Sequence, residues 1–201
     1  MTPALLAFGL ALTVVAGCGD DGARLPPRSV SVRASGCSLA DELATGLVVG
    51  NGLVLTVAHV LRRTSAVSVD GVPGKVVAID HRIDAALIAV EVPGPAVRFA
   101  DEPATGPATV AGRPAVVSNI VDAAIEEPRD DRTYRRRALV LAAGVGRGDS
   151  GAPVVGPDGA LLGMVFAAST AIDSRAYAVT ADELRPFVGS AGVGQPPTTG
   201  C

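Results

Sequence analysis

Three short segments contain the residue types that nucleophilic catalysis requires. The first is TVAH, which ends at His59. The second is DHRID, which ends at Asp84, and the third is GRGDSGAP, which contains Ser150. A serine hydroxyl becomes an effective nucleophile when a neighbouring imidazole takes its proton. The imidazole in turn needs a carboxylate that fixes its tautomer and stabilises its charged form. The sequence therefore offers Ser150, His59 and Asp84 as a candidate nucleophile, base and orienting acid.

The glycine-rich turn around the serine is suited to a second task. Acyl transfer passes through a tetrahedral oxyanion, which backbone N–H groups stabilise. Glycine lets the backbone point inward without side-chain obstruction, so Gly148 and Ser150 are the candidate donors. Asp149 lies inside the same turn, and burying a carboxylate without a partner is costly. We therefore expect an arginine or backbone N–H groups beside Asp149.

Two nearby residues compete for these roles. His81 is the only other histidine, and because it stands between Asp80 and Arg82 it is predicted to lie on the surface. Asp80 is an alternative to Asp84 as the orienting acid. Both alternatives stay open on the residues alone.

The serine segment also matches two unrelated motifs. Residues 147–149 spell the cell-attachment tripeptide RGD, which functions on an exposed mobile loop. The stretch ALVLAAGVGRGD, residues 138–149, resembles a strand that enters a dinucleotide-binding loop, but that motif requires a helix next. Pro153, Val154 and Val155 follow instead. Both motifs are better explained by the nucleophile turn.

Composition narrows the functional classes. The 201 residues are 48% hydrophobic with a net charge of −3, which predicts one globular unit, or two small subdomains that share one active site. A nucleic-acid partner is not expected, because there is no basic surplus. Two separated histidines and cysteines near the ends do not form a zinc-binding pattern. We expect no metal and no cofactor.

The strand pattern favours an all-β fold. From about residue 38 the chain shows short β-type runs between Gly, Pro and Asp, which indicates a barrel or a sandwich. A break at residues 99–107 divides the runs into two groups. Thr180–Glu183 has the form of a helix capping box, and Pro186 is expected to keep the helix short. The charged stretch 126–137 is predicted to be a solvated loop.

The N-terminal residues predict export. Residues 1–17 are an uninterrupted apolar run of about signal-peptide length, and residues 15–18, VAGC, resemble the bacterial lipoprotein processing box. We expect Cys18 to be lipidated and residues 18–36 to form a flexible tether; a plain secretory signal or an uncleaved anchor are the alternatives. Cys37 and Cys201 then remain as a disulfide pair in an oxidising compartment, or as free thiols.

The three segments together resemble a known family. The order His, Asp, Ser, with TVAH, DAALIAV and GDSGAP, is similar to that of the trypsin-like serine peptidases, and nearer to their bacterial periplasmic branch. KVVAIDHRIDAALIAVEV looks like the heat-shock protease pattern, in which Asp84 rather than Asp80 is the triad acid. The terminal TTGC, with Cys37, is similar to the actinobacterial acid-resistance periplasmic proteases.

The resemblance implies two packed six-stranded antiparallel β-barrels with the active site between them and a short C-terminal helix. The protease domain would cover residues 37–201, with barrels at about 38–100 and 107–188. His59 would be the general base, Asp84 the orienting acid and Ser150 the nucleophile. By family position the specificity pocket is lined by Gly144, Arg147, Phe166, Ala167, Ala168 and Tyr177.

These residues imply a serine endopeptidase that acts on proteins or peptides. The alternative is a catalytically silent or autoinhibited trypsin-like binding module on the cell surface. An esterase with the same triad usually has the serine first, whereas here the order is His, Asp, Ser. Membrane contact is expected only through a lipid on Cys18, and the sequence leaves the oligomeric state open.

Overall fold

The computed structural model describes residues 27–36, 40–127 and 132–190. It contains twelve strands, one short 3-10 turn and one α-helix. The strands are β1 (Ser29–Gly36), β2 (Glu42–Gly50), β3 (Leu53–Val57), β4 (Thr64–Val69), β5 (Val72–Asp80), β6 (Ala85–Ala89), β7 (Gly106–Val110), β8 (Arg113–Glu127), β9 (Arg132–Ala142), β10 (Pro153–Val155), β11 (Leu161–Ala168) and β12 (Arg175–Thr180). The 3-10 turn is His59–Leu61, and α1 is Ala181–Gly189.

The strands close into two barrels. The first has the order β1-β2-β3-β6-β5-β4, and the second has the order β10-β11-β12-β9-β8-β7. Every pairing between two of these strands is antiparallel. The predicted all-β fold with two six-stranded barrels and a short C-terminal helix is confirmed.

Each barrel encloses its own apolar core. Leu47, Leu55 and Leu87 are fully buried in the first barrel, and Leu141 and Val154 are buried in the second. Inward-facing residues alternate with outward-facing ones along a barrel strand, so closing the sheet buries one face of every strand. Small branched side chains and alanines fill these interiors, as the scarcity of aromatic residues requires.

The first strand lies where the sequence analysis predicts a tether. β1 occupies residues 29–36, inside the stretch 18–36, so the tether prediction is wrong for these residues. Val30, Val32 and Ala34 are buried, and the residues between them face outward. This alternation is the strand signal, and the neighbouring Pro and Gly residues concealed it.

The charged stretch at residues 126–137 is not a loop throughout. β8 continues to Glu127 and β9 begins at Arg132, so much of the stretch belongs to a long hairpin. Its strands pair Ile125 with Tyr134. Ile125 packs against the first core, which places neighbouring charged residues on the outer face. The hairpin thus extends from the second barrel to the first.

The C-terminal helix begins where predicted but is capped differently. Thr180 precedes α1, and its hydroxyl donates to the Arg137 carbonyl at 3.3 Å instead of closing a capping box. The helix continues past Pro186 to Gly189. Leu184 is fully buried against the first core. No helix in the described part of the chain is long and apolar enough to cross a membrane.

Glu183 places a carboxyl group beside the loop that precedes β6. Its Oε1 lies 3.9 Å from Arg82 Nη1. Burial raises the pKa of the Glu183 carboxyl above its ordinary value of 4.5, and an Arg137 backbone hydrogen bond and the Arg82 charge offset only part of this. The folded chain therefore binds this proton more tightly than the unfolded chain. As a result, Glu183 makes the fold less stable as pH rises above 4.5.

Asp158 shows the opposite behaviour at the surface. Arg98 Nη2 donates to Asp158 Oδ2 at 2.6 Å, and this hydrogen bond lowers the pKa of Asp158 below its ordinary value of 3.8. The stability that Asp158 contributes is present above pH 3.8 and is lost as pH falls through its folded pKa.

We expect E183Q and D158N to change the pH dependence of stability in opposite directions. Relative to wild type, the unfolding free energy of E183Q should rise as pH rises above 4.5. That of D158N should rise, relative to wild type, as pH falls below 3.8. Urea unfolding curves from about pH 3 to pH 7 measure both differences. Differences that do not change with pH would contradict these assignments.

Candidate active site

Two neighbouring strands of the first barrel bring His59 and Asp84 together. His59 follows the end of β3, and Asp84 directly precedes β6, with Val57 of β3 paired to Ala85 of β6. His59 Nδ1 lies 2.7 Å from Asp84 Oδ2. The His59 backbone N–H donates to Asp84 Oδ1 at 2.9 Å, and the Ala58 N–H donates to the Asp84 carbonyl at 3.1 Å.

This pairing determines what the imidazole can do. Asp84 is only 7% exposed, and both of its carboxylate oxygens have partners on the His59 segment. A carboxylate beside Nδ1 holds the proton on that nitrogen and leaves Nε2 free to accept another. The described geometry is therefore that of a histidine prepared to act as a base.

The serine lies on a tight turn between β9 and β10. Gly148 has φ +89° and Gly151 has φ +88°, in the left-handed region that favours glycine. A Cβ at Gly151 would lie 1.9 Å from the Thr45 carbonyl oxygen. Glycine at this position therefore lets the turn press directly against β2 of the first barrel.

Thr45 of β2 joins the serine turn to the first barrel. Its backbone N–H donates to the Ser150 carbonyl at 2.8 Å, and its hydroxyl donates to the Gly148 carbonyl at 2.8 Å. Thr56 Oγ1 donates to the Thr45 carbonyl at 2.8 Å. Sequence reasoning missed Thr45, although a threonine in an apolar strand is a weak signal of such a role.

Asp149 has the partners that its partial burial requires. Arg113 Nη2 donates to Asp149 Oδ2 at 2.7 Å, and the Gly146 N–H donates to the same oxygen at 2.8 Å. The expectation of an arginine or backbone N–H groups is confirmed, and both are present. The sequence did not indicate which arginine it would be.

A second arginine that the sequence analysis missed lies behind Asp84. Arg136 of β9 is 5% exposed, and its Nη1 lies 3.9 Å from Asp84 Oδ2. Its guanidinium covers the Phe166 ring at 4.8 Å from the centroid, a cation–π arrangement. The dense charge around it suggested a solvated loop and hid this buried position.

Of the cavities that adjoin His59, two also contain predicted site residues. One, of about 380 Å³, is also lined by Arg147, Gly148 and Ser150. The other, of about 560 Å³, is lined by His59 and Asp84 together with part of the predicted specificity pocket. Those pocket residues are Phe166, Ala167, Ala168 and Tyr177. The predicted pocket residues thus lie on two sides of His59, and Gly144 lines neither of these two cavities.

The competing candidates lie elsewhere. Asp80 Oδ1 accepts the Arg82 backbone N–H at 2.8 Å, and His81 is exposed. It is Asp84 that contacts His59. Within residues 27–36, 40–127 and 132–190, no group of three or more His, Cys, Asp or Glu side chains could hold a metal ion.

Cys18, predicted to be lipidated, and Cys37 and Cys201, predicted to form a disulfide, lie outside the described residues. The apolar run 1–17 lies outside them as well.

Known proteins resemble this chain in sequence. A family profile described as "Trypsin-like peptidase domain" matches residues 44–164. Serine protease Rv3671c of Mycobacterium tuberculosis (strain ATCC 25618 / H37Rv) is 32% identical over 173 residues, covering 78% of this chain and 44% of that protein. The chain therefore spans less than half the length of the curated relatives it matches.

Solved structures resemble it in fold. The active form of the Rv3671c protease from M. tuberculosis matches with a TM-score of 0.79 at 30% identity, covering 88% of this chain and 86% of that one. An inactive form of the same protease matches with a TM-score of 0.70 at 28% identity, covering 82% of this chain and 89% of that one. An HtrA-type protease with tripeptide matches with a TM-score of 0.69, covering 86% of this chain and 62% of that one. Because its identity is only 19%, this match shows similarity of fold alone. Because the family profile matches more than half of the chain, the protein belongs to the trypsin-like peptidase domain family.

Proposed function

We propose that this chain is a serine endopeptidase that uses Ser150, His59 and Asp84 as its catalytic triad. The observation that carries the proposal is the 2.7 Å contact between His59 Nδ1 and Asp84 Oδ2, beside a cavity that His59 shares with Ser150. Family membership supports hydrolysis of proteins or peptides.

The proposed reaction has two stages. Ser150 Oγ attacks the carbonyl carbon of the scissile bond while its proton passes to His59 Nε2, and the carbonyl oxygen becomes an oxyanion. The Gly148 and Ser150 N–H groups are the proposed donors to that oxyanion. Collapse breaks the C–N bond, and the leaving amine takes the proton from His59. Water then repeats the sequence on the acyl-enzyme, releases the acid and restores Ser150.

We expect S150A to abolish both covalent labelling by a serine-directed phosphonate and peptide hydrolysis. The loss should reach about 10⁶-fold in kcat, and that of D84N about 10⁴-fold. S118A is the matched control, since Ser118 lies exposed on β8 and donates to the Val140 carbonyl; it should label and cleave like wild type. Mass spectrometry of the labelled chain measures the first effect.

Two results would contradict the triad. Labelling that persists in S150A would place the nucleophile elsewhere. A folded wild-type chain that neither labels nor cleaves would favour the alternative, a catalytically silent or autoinhibited binding module.

We also propose that the substrate side chain before the cleaved bond is small or medium-sized and apolar. The 560 Å³ cleft is lined by Phe166 and Ala167, and Arg62 and Arg136 line it as well. Asp84 is the one carboxylate among the described residues that line it. Both oxygens of this carboxylate already contact His59. A cationic side chain would therefore find no free carboxylate among the described residues of the cleft.

A peptide library tests this preference. Substrates with Ala, Val or Leu before the cleaved bond should exceed those with Lys or Arg by about tenfold or more in kcat/KM, the range that one pocket contact supplies. A168D adds a carboxylate at an exposed position of the cleft and should narrow the difference. Faster cleavage after Lys or Arg by wild type would refute the preference.

We further propose that the chain is exported, with a lipid on Cys18 and a Cys37–Cys201 disulfide. The apolar run 1–17 and the VAGC sequence at residues 15–18 support this. Expression in a bacterium should give a chain that fractionates with the membrane and whose Cys18 peptide carries the added mass of a lipid. C18S should lose both properties. Non-reducing digestion should yield one peptide that links Cys37 to Cys201. A full-length chain that stays in the cytoplasm with unmodified cysteines would contradict the proposal.

A further inference from the structure

Arg136 is a buried cation whose direction is set by the strands around it. Side chains alternate along β9, so Arg136 and Ala138 are buried while Arg135 and Arg137 are exposed. Ala138 is paired on both sides, with β8 and with β12. The Arg137 carbonyl also accepts the Thr180 hydroxyl at 3.3 Å. The register of three strands therefore directs the Arg136 side chain inward.

The Arg136 guanidinium contacts both an aromatic ring and the candidate triad acid. It lies 4.8 Å from the Phe166 ring centroid, and its Nη1 lies 3.9 Å from Asp84 Oδ2. The same carboxylate oxygen contacts His59 Nδ1 at 2.7 Å. The other oxygen accepts the His59 backbone N–H at 2.9 Å. Asp84 is therefore held by His59 from the first barrel and by Arg136 from the second.

Stability alone does not account for an arginine at this position. The Arg136 and Asp84 side chains are 4% and 10% exposed, and a buried ion pair of this kind is often replaced by apolar side chains without loss of stability. Arg136 lines the 560 Å³ cleft together with the apolar residues Ala123, Ile125 and Phe166. An apolar side chain would suit that setting, but it could not attract the Asp84 carboxylate.

A second carboxyl group, that of Glu183, also experiences the Arg136 charge. Burial raises the pKa of Glu183, and Arg136 opposes this rise less strongly than Arg82 does. Arg82 Nη1 lies 3.9 Å from Glu183 Oε1. Glu183 thus has Arg82 as a cation of its own, and Asp84 is the carboxylate that depends on Arg136.

We propose that Arg136 is a positioning residue for catalysis, whose charge holds the Asp84 carboxylate in the orientation that leaves His59 Nε2 free to take the Ser150 proton. The inference rests on the proposed function, because it concerns the same triad. Since Arg136 and Asp84 are both buried, their attraction is screened less than it would be at the surface. It favours the orientation in which Oδ2 lies toward both Arg136 and His59 Nδ1.

A double-mutant cycle separates this role from general packing. R136M replaces the guanidinium by an uncharged side chain, and R136K keeps a positive charge. R135M is the matched control, since Arg135 is the exposed neighbour on the same strand. R136M is also combined with D84N and, separately, with E183Q. For each full-length variant, kcat and KM are measured on an apolar peptide substrate, with S150A giving the background rate.

We expect R136M to lower kcat by about 10- to 100-fold, the cost of a displaced reacting group, with KM within about threefold. R136K should lose less, and R135M should match wild type. In the D84N background R136M should change kcat by no more than about twofold, because the charge on which Arg136 acts is absent. In the E183Q background the loss should be as large as in wild type. If R136M does not fold, R136Q is held to the same thresholds.

The two proposals fail in different ways. A folded R136M with kcat within about twofold of R135M would overturn the role of Arg136 and leave the triad intact. An equal loss in the D84N and wild-type backgrounds would also overturn it, because Arg136 would then act by packing. A loss that disappears in E183Q would assign Arg136 to Glu183 and refute the role at Asp84. A wild-type chain that does not label at Ser150 would overturn the proposed function and this inference together.

Discussion

The rest of the site depends on the contact between β2 of the first barrel and the serine turn of the second. Each barrel carries only part of the proposed triad: His59 and Asp84 come from the first, and Ser150 comes from the second. Thr45 hydrogen-bonds to both Ser150 and Gly148, and Gly151 lets its carbonyl approach, because any Cβ would collide with it. A side chain at residue 151 would push the barrels apart at the point where their groups must meet.

Charged groups at the junction are paired across the chain. Asp84 has His59 and, at a longer distance, Arg136, and Asp149 has Arg113. Removing one partner of a buried pair leaves an uncompensated charge, which is far more destabilising than the pair is stabilising. The Arg136–Asp84 pair is the buried one, with side chains 4% and 10% exposed, so packing that separated these two groups would carry this cost. The long β8–β9 hairpin contributes to this alignment because it brings Arg136 from the second barrel to the carboxylate of the first.

The strand pattern predicted most of the fold, and its two errors have one cause. β1 and the outer part of the β8–β9 hairpin are both strands whose composition resembles a loop. In β1 the apolar alternation of Val30, Val32 and Ala34 is short and is flanked by Gly and Pro. In the hairpin the outer face is charged. Its inner face, to which Ile125 belongs, becomes evident only once β8 is paired with β9. Antiparallel pairing satisfies the backbone N–H and C=O groups of such segments whether their side chains are polar or apolar. That pairing depends on the assembled sheet rather than on the local sequence.

The sequence by itself determined the types of the candidate site residues and their local setting. A histidine after one strand, an aspartate before another and a serine in a glycine-rich turn are encoded by neighbours a few positions away. Only the tertiary structure decided which distant groups support them. Thr45 and Gly148 are 103 positions apart, and Arg113 and Asp149 are 36 apart. Nothing in the local pattern distinguishes Arg113 from the chain's other arginines, because barrel closure and strand register place its guanidinium against Asp149.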